Sequence, residues 1–130
     1  MEQRLPAQKP ATQEGLKVTR ILPEMITRLP EIDMPVEGVG GYLIQGDINQ
    51  SVFFVVDAGV FLQEHAHAAQ WGVVLEGVFE ISAGGKKQTY RKGDSYYIPA
   101  DTPHSGYYHT DTVTFDVFDD KDKFVIKTSG

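Results

Sequence analysis

From Gly41 onward the chain alternates between short apolar runs and turn-forming residues. The runs are rich in β-branched and aromatic side chains, a composition that predicts β-strands. We predict nine strands: Tyr42–Gln45, Ser51–Val56, Trp71–Leu75, Val78–Ser82, Gln88–Arg91, Ser95–Ile98, Ser105–His109, Val113–Asp119 and Phe124–Lys127. The pair Gly84-Gly85 between two of them is a strong signal for a two-residue hairpin turn. Because no stretch has the periodicity of a long amphipathic helix, the pattern favours an all-β sandwich or barrel.

The first part of the chain has a different character. It begins with a polar stretch rich in Pro and Gln, and an apolar set follows at Ile21, Leu22, Met25, Ile26 and Leu29. Pro23 interrupts this set, and because proline lacks a backbone N–H we expect a strand and a turn there rather than a helix. We interpret residues 1–35 as an N-terminal arm, partly disordered or packed on the barrel or on a dimer partner, and residues 36–130 as the barrel.

The apolar set of the arm bears on the oligomeric state. A monomer of this size leaves few ways to cover so many apolar side chains, so we predict a homodimer. The same residues could equally be buried against the chain's own barrel.

Overall charge narrows the range of partners. The 130 residues carry a formal net charge of −6, which argues against nucleic acid or an anionic membrane surface, since both require a positive patch. Cysteine is absent, so no thiol nucleophile exists.

The N-terminal stretch lacks the apolar region of a secretory signal and no segment is long enough to span a bilayer, so we predict a cytoplasmic protein. The densest acidic stretch, which we interpret as a solvated strand end and turn, comprises Asp116, Asp119, Asp120 and Asp122.

Three of the four histidines fall in two short segments. His65 and His67 are separated by one residue, and His104 lies in a second segment after Pro103. In a strand, residues at i and i+2 project from the same face, so both imidazoles of the pair would point toward one ion. An isolated pair at this spacing more often faces solvent. A third histidine arriving from a different strand makes a metal site the better interpretation.

Gln70 completes the candidate metal site. It follows Ala68 and Ala69, small residues at which the chain can bend and return the Gln70 carbonyl oxygen toward the histidines. Three neutral nitrogens and one neutral oxygen suit a divalent transition metal such as iron, nickel, zinc, copper or manganese better than calcium or magnesium. We predict one such ion, with positions left open for water or substrate. The predicted ligands are His65, His67, Gln70 and His104.

These residues, with the glycines and the proline around them, resemble the two sequence motifs of the cupin family. The first motif is matched at Gly59, His65, His67, Gln70 and Gly77, and the second at Gly93, Pro99, Asp101 and His104. Both motifs come in the family's order, and the resemblance covers residues 59–108. It implies a small single-domain cupin, folded as a double-stranded β-helix, or jelly-roll barrel, whose two sheets enclose a metal-holding cavity. Small cupins of this kind are commonly dimers.

Three positions depart from the family pattern. Gln70 replaces the usual glutamate ligand, Asp101 replaces a glycine, and Tyr108 replaces an asparagine. Only Gln70 would touch the metal. A neutral ligand leaves the charge of a divalent ion uncompensated, so we expect weaker metal binding and a stronger Lewis acid that favours an anionic substrate.

Strand alternation indicates which side chains line the cavity. If Gln70 points inward, Val74 does as well, and if His104 points inward, so does Tyr108. Further aromatic candidates for the mouth of the cavity are Phe61, Trp71 and Tyr97. Core packing explains such aromatic residues equally well.

Acidic or basic groups suited to catalysis are few. Glu64 and Asp101 are the carboxylates nearest to the histidines, but alternation aims Glu64 away from them. Tyr97 and Tyr108 are possible hydrogen-bond partners for a substrate.

Three classes of function remain open. The first is a metal-dependent enzyme, a dioxygenase or a lyase, acting on a small organic molecule. The second is a non-catalytic module that binds or senses a small ligand in the same cavity. The third is a metal-free sugar isomerase or epimerase with a cavity histidine as the base, which would leave three clustered histidines without a purpose.

Overall fold

The computed structural model describes residues 21–128, which contain nine β-strands and one short helix. The helix is α1 (Glu24–Thr27). The strands are β1 (Val39–Gln45), β2 (Gln50–Val56), β3 (Phe61–His65), β4 (Gln70–Glu76), β5 (Val78–Ala83), β6 (Lys86–Arg91), β7 (Ser95–Ile98), β8 (His104–Tyr108) and β9 (Thr112–Phe118). Within these residues no helix is both long and apolar enough to cross a membrane.

Two antiparallel sheets form the body of the molecule. The larger sheet has the strand order β1-β2-β9-β4-β7, and the smaller has the order β3-β8-β5-β6. Inward side chains from both sheets meet in one apolar cluster, so the sheets pack face to face. The buried members of this cluster are Val56, Val74, Phe79, Ile81, Tyr96, Ile98 and Tyr108. The predicted all-β jelly roll is confirmed.

Eight of the nine predicted strands overlap a strand of the structure. The ninth, Phe124–Lys127, is wrong: its contact with the sheet is an isolated bridge between Ile126 and Ile32. Strand β3 was absent from the predicted set because its side chains are mostly exposed, and no apolar alternation marks it.

The expectation of a strand and a turn around Pro23, rather than a helix, is also wrong for the described residues, because helix α1 begins directly after Pro23. Pro23 occupies the N-cap position, and its carbonyl accepts the Ile26 N–H at 2.8 Å. A proline at the start of a helix loses no hydrogen bond, since the first N–H groups of a helix have no partner within it.

Residues 21–35 of the predicted arm pack on the chain's own barrel, whereas residues 1–20 lie outside the described residues. Leu22 is buried with Val113 on the outer side of the larger sheet. Ile32 belongs to a second buried cluster with Leu43 and Val52. Part of the apolar set is therefore covered within one chain, while Met25 remains exposed.

Three residues that lie side by side on neighbouring strands of the larger sheet include a glycine between two long side chains. Asp116 of β9 lies opposite Gly72 of β4, which in turn lies opposite Tyr96 of β7. Since Gly72 has no side chain, the Tyr96 hydroxyl reaches across it and donates a hydrogen bond to the Asp116 carboxylate at 2.7 Å. A Cβ atom at residue 72 would overlap both side chains.

We therefore predict that Gly72→Ala lowers the free energy of unfolding by about 1–3 kcal/mol, because the added methyl group overpacks this row. Urea denaturation followed by intrinsic fluorescence measures the change. Gly40→Ala in β1 is the matched control, since a Cβ there meets no atom within 4 Å. Equal stability of the two variants would show that the row has room for a methyl group.

Candidate metal centre

A cavity of about 400 Å³ lies between the two sheets and opens at one end of the barrel. Most of its wall is apolar, with contributions from Val39, Phe54, Val56, Leu62, Ile81, Ile98 and Phe118. Polar side chains are concentrated among the histidines and around Asp116. An apolar cavity with a few convergent polar groups is typical of a small-molecule site.

The three predicted histidines meet at this cavity. His65 ends β3 and His104 begins β8, and the two are directly opposite in the smaller sheet. Their ring centroids are 4.3 Å apart. The His67 ring lies 5.1 Å from that of His65 and 4.8 Å from that of His104.

The route by which His65 and His67 converge differs from the prediction. They do not share a strand, since β3 ends at His65 and His67 lies in the loop before β4. Strand alternation therefore does not explain their common direction. His67 lines the cavity from this loop, and the Asp101 N–H donates to the His67 carbonyl at 2.8 Å, which ties this loop to the loop before His104.

Asp101 adopts a left-handed backbone conformation, with φ of 61°. Glycine is favoured in this region, and aspartate is among the few other residues that tolerate it. The replacement of the family's glycine by Asp101 is therefore compatible with the loop.

All three imidazoles are oriented by hydrogen bonds from Nδ1. His65 Nδ1 lies 2.7 Å from the Gln63 carbonyl. His67 Nδ1 lies 2.7 Å from the Ala68 carbonyl, and His104 Nδ1 lies 2.8 Å from the Thr102 carbonyl. Because a carbonyl can only accept, each Nδ1 carries the proton and each Nε2 keeps a free lone pair. This is the tautomer that a metal-binding histidine requires.

The electrostatic setting keeps two of these rings neutral. Burial lowers the pKa of His67 to about 4, and the positive charge of Lys123 acts in the same direction. Burial also lowers the pKa of His104. Protons therefore compete weakly with a metal at neutral pH.

The histidines fit a metal ion. Their ligand atoms all lie within 4.8 Å of one another, so small side-chain rotations would bring them onto one ion. Three neutral nitrogen donors suit zinc, copper, iron or nickel. The identity of the ion stays a prediction.

Gln70 begins β4 and lines the cavity beside the histidines. Its Nε2 donates to Asp116 Oδ2 at 2.7 Å. With the amide nitrogen occupied, the carbonyl oxygen Oε1 is the atom that remains for an ion. The role of Gln70 as a ligand stays a prediction.

Asp116 is the main polar residue that sequence reasoning missed. It does not lie at a solvated strand end, as predicted, but in the middle of β9 with 1% of its surface exposed. Its carboxylate accepts hydrogen bonds from Gln70, Tyr96 and Thr114. Burial nevertheless raises its pKa to about 6. The available signal was an acidic residue at an inward position of a strand that contains no other charged residue.

Only part of the predicted cavity wall is in place. Tyr108 is buried, lines the cavity and stacks on Phe79, with ring centroids 4.8 Å apart. Val74 is buried in the apolar cluster but does not line the cavity, so that part of the prediction is wrong.

The other three aromatic candidates are wrong. Phe61, Trp71 and Tyr97 are 58%, 43% and 63% exposed and lie outside the cavity. Trp71 and Tyr97 are opposite each other on the outer face of the larger sheet. Alternation accounts for this, because their neighbours Gln70 and Tyr96 point inward.

Two further charged residues line the cavity. Glu64 does so, against expectation, because the pairing of β3 with β8 shifts register between Leu62 and His65. Lys123 reaches the cavity from the segment after β9. A register shift and the path of a terminal segment leave no clear mark in the sequence.

Comparison with known proteins agrees with this architecture. The family model described as Cupin domain matches residues 52–118, and the chain therefore belongs to the cupin family. No curated protein shows a significant match.

Solved structures with the same fold are numerous. KdgF from Halomonas sp. is 24% identical with a TM-score of 0.61, covering 67% of this chain and 84% of that one. An RmlC-like cupin from Shewanella frigidimarina is 24% identical with a TM-score of 0.65, covering 72% and 86%. Oxalate decarboxylase from Lactobacillus farciminis is 17% identical with a TM-score of 0.64, covering 78% of this chain but 34% of that one. At these identities the likeness establishes the fold.

The contact between Gln70 and Asp116 predicts the effect of restoring the family's glutamate. In Gln70→Glu two carboxylates would lie within hydrogen-bonding distance, so we expect the metal-free protein to lose about 1–3 kcal/mol of stability. A bound cation would offset this repulsion, so we expect divalent metal to bind at least about tenfold more tightly. Thermal unfolding with and without Zn²⁺, together with calorimetric titration, measures both effects.

Gln88→Glu provides the control, because Gln88 is exposed on β6. That variant should change neither quantity. If Gln70→Glu behaved like this control, Gln70 would be neither a metal ligand nor coupled to Asp116.

Proposed function

We propose that this cupin is a metal-dependent enzyme that acts on a small organic molecule held in the barrel cavity, by lyase or dioxygenase chemistry. The observation that carries the proposal is the presentation of three Nε2 lone pairs at one side of an apolar cavity of about 400 Å³. Such a volume admits a substrate beside the ion.

His65, His67 and His104 would hold the ion, with Gln70 Oε1 as a fourth ligand. A divalent transition metal bound there would supply open positions in which oxygen atoms of a ligand are polarised. The apolar wall excludes water from this point and strengthens polar interactions with a bound molecule.

Two side chains could move a proton in the cavity. Asp116 has a pKa of about 6, near the range useful for general acid–base catalysis, but three donors already bind its oxygens. Glu64 also lines the cavity. We assign Asp116 to positioning Gln70 and leave proton transfer to Glu64.

The structural neighbours support this class of chemistry without selecting a reaction. Oxalate decarboxylase is among them, so the fold carries lyase chemistry in at least one protein. Because the likeness extends to the fold alone, the substrate of that enzyme is not transferred to this chain.

A ligand-binding module without turnover is the second candidate. The observation that favours it is the full hydrogen bonding of Asp116, which leaves few groups ready to accept a proton. Turnover of a bound small acid or enol by the metal-loaded protein would distinguish the enzyme from the module.

We expect near-stoichiometric transition metal in untagged protein purified without chelator, and its loss in the His65→Ala/His67→Ala variant. Elemental analysis measures both, and oxygen consumption and product formation with small acids then test for turnover. His109→Ala is the control, because His109 is exposed and bonds Glu80 at 2.9 Å away from the cluster. A wild-type protein that contains no metal and refuses added Zn²⁺, Ni²⁺ and Fe²⁺ would contradict the proposal.

We also propose that the protein forms a homodimer through the outer face of its larger sheet. One mostly apolar row on that face runs from Ile44 through Ser51, Val117 and Trp71 to Tyr97 and includes no charged residue. Three of these side chains are exposed. A second copy offers the same apolar row, so the two faces are self-complementary about a twofold axis.

Trp71→Glu should convert such a dimer to a monomer, because it would bury a charge in the interface. Size-exclusion chromatography with light scattering measures the mass. Ile48→Glu, at a 75% exposed position in the turn between β1 and β2, should leave the dimer intact. A monomeric wild-type protein would contradict this proposal.

A further inference from the structure

One cation lies in the cavity wall beside the histidines. The ammonium group of Lys123 is 5.5 Å from the ring centroid of Phe118 and 5.1 Å from that of Phe124. Both rings line the cavity, and Phe118 also contacts the His67 ring at 5.6 Å. The positive charge therefore sits on the same side of the cavity as the candidate metal ligands.

The segment that carries Lys123 is fixed by a buried amide. Gln50, which is 1% exposed, accepts the Phe124 N–H at 2.8 Å and donates to the Phe124 carbonyl at 3.1 Å. At the start of the segment, the Asp119 N–H donates to the Ala69 carbonyl in the loop between β3 and β4 at 2.9 Å. The backbone is thus held on both sides of Lys123, and its side chain is half-buried rather than free in solvent.

Within the part of the chain that the structure describes, no carboxylate lies within 4.0 Å of the Lys123 ammonium, and Asp120 attracts it from a greater distance. The lysines there that pair with a carboxylate within 4.0 Å are Lys87, Lys92, Lys121 and Lys127. An ammonium that has lost part of its hydration gains from an anion placed against it. The cavity is the side from which such an anion would arrive.

The charge of the site also favours an anion. The candidate metal ligands are all neutral, so a divalent ion would keep its full charge. Lys123 adds a positive charge, and the acidic residues of the cavity wall, Asp116 and Glu64, offset part of the total. With an ion bound, the positive charge that remains matches a single carboxylate. Without an ion, three hydrogen bonds stabilise the Asp116 charge and solvent screens the exposed Glu64, so an entering carboxylate still meets the Lys123 ammonium as its local partner. The apolar wall matches an uncharged remainder.

We propose that Lys123 anchors the carboxylate of a small organic acid whose apolar portion fills the cavity. This inference rests on the proposed function in that it names the substrate class of the same cavity. Lys123 is then the residue that selects acids over neutral molecules of equal shape.

Calorimetric titration with benzoate and with benzamide, its neutral counterpart, tests this selection. In metal-free protein the carboxylate has no metal to bind, so the comparison isolates Lys123. We expect wild-type protein to prefer benzoate, and Lys123→Met to weaken benzoate binding about tenfold or more while changing benzamide binding less than twofold. Lys123→Arg should keep most of the preference, and Lys92→Met, at an exposed lysine paired with Glu76, should keep all of it.

The same titrations in Zn²⁺-loaded protein, with zinc content measured for every variant, separate the two proposals. Failure of the wild type to take up zinc, together with Ni²⁺ and Fe²⁺, would contradict the metal-dependent function, and the metal-free comparison would still decide the role of Lys123. A benzoate preference that survives in Lys123→Met, or its absence from the wild type, would overturn the anchoring role.

Discussion

The candidate site depends on hydrogen bonds that orient three imidazoles before any ligand binds. Each acceptor is a carbonyl within two residues of its histidine, so the local backbone sets the direction of each ring. The backbone is in turn fixed where the two loops meet, at the bond from the Asp101 N–H to the His67 carbonyl. Preorganisation of this kind matters because the histidine side chains then lose little conformational freedom when a metal binds.

The unusual glutamine and the buried aspartate belong together. Asp116 lies 2.7 Å from Gln70 Nε2, and two carboxylates at that separation would not both ionise. A glutamate at residue 70 of this chain, the usual residue of the family at that position, would therefore repel Asp116. In this chain the negative charge lies on Asp116, behind the Gln70 side chain, and Gly72 leaves the space through which the Tyr96 hydroxyl reaches that carboxylate. A neutral side chain at residue 70 is therefore compatible with Asp116, whereas a carboxylate is not.

The sequence was sufficient for the fold and for the three histidines, and insufficient for much of the cavity wall. The strands and the histidine motifs are local patterns, which a sequence displays directly. Alternation correctly placed Tyr108 inward from His104. With Gln70 inward, alternation also points Trp71 outward, so the choice of Trp71 as a cavity residue went against the pattern. Glu64 was assigned to the wrong side because a register shift interrupts β3. Asp116 and Gln70 are 46 residues apart, a contact that no spacing rule supplies.

Asp116 and Lys123, which sequence reasoning missed, share one structural origin. Strand β9 is the middle strand of the larger sheet, so its inward positions, among them Asp116 and Phe118, face the centre of the cavity. The chain that leaves β9 then passes the histidines and brings Lys123 to the same space. The candidate metal ligands therefore come from the motif segments, whereas Asp116 and Lys123 come from β9 and its continuation, and Glu64 of β3 adds a further charge to the wall. Because charge at a fixed distance discriminates acids from neutral molecules more strongly than shape does, we expect ligand choice to follow β9 and the segment after it.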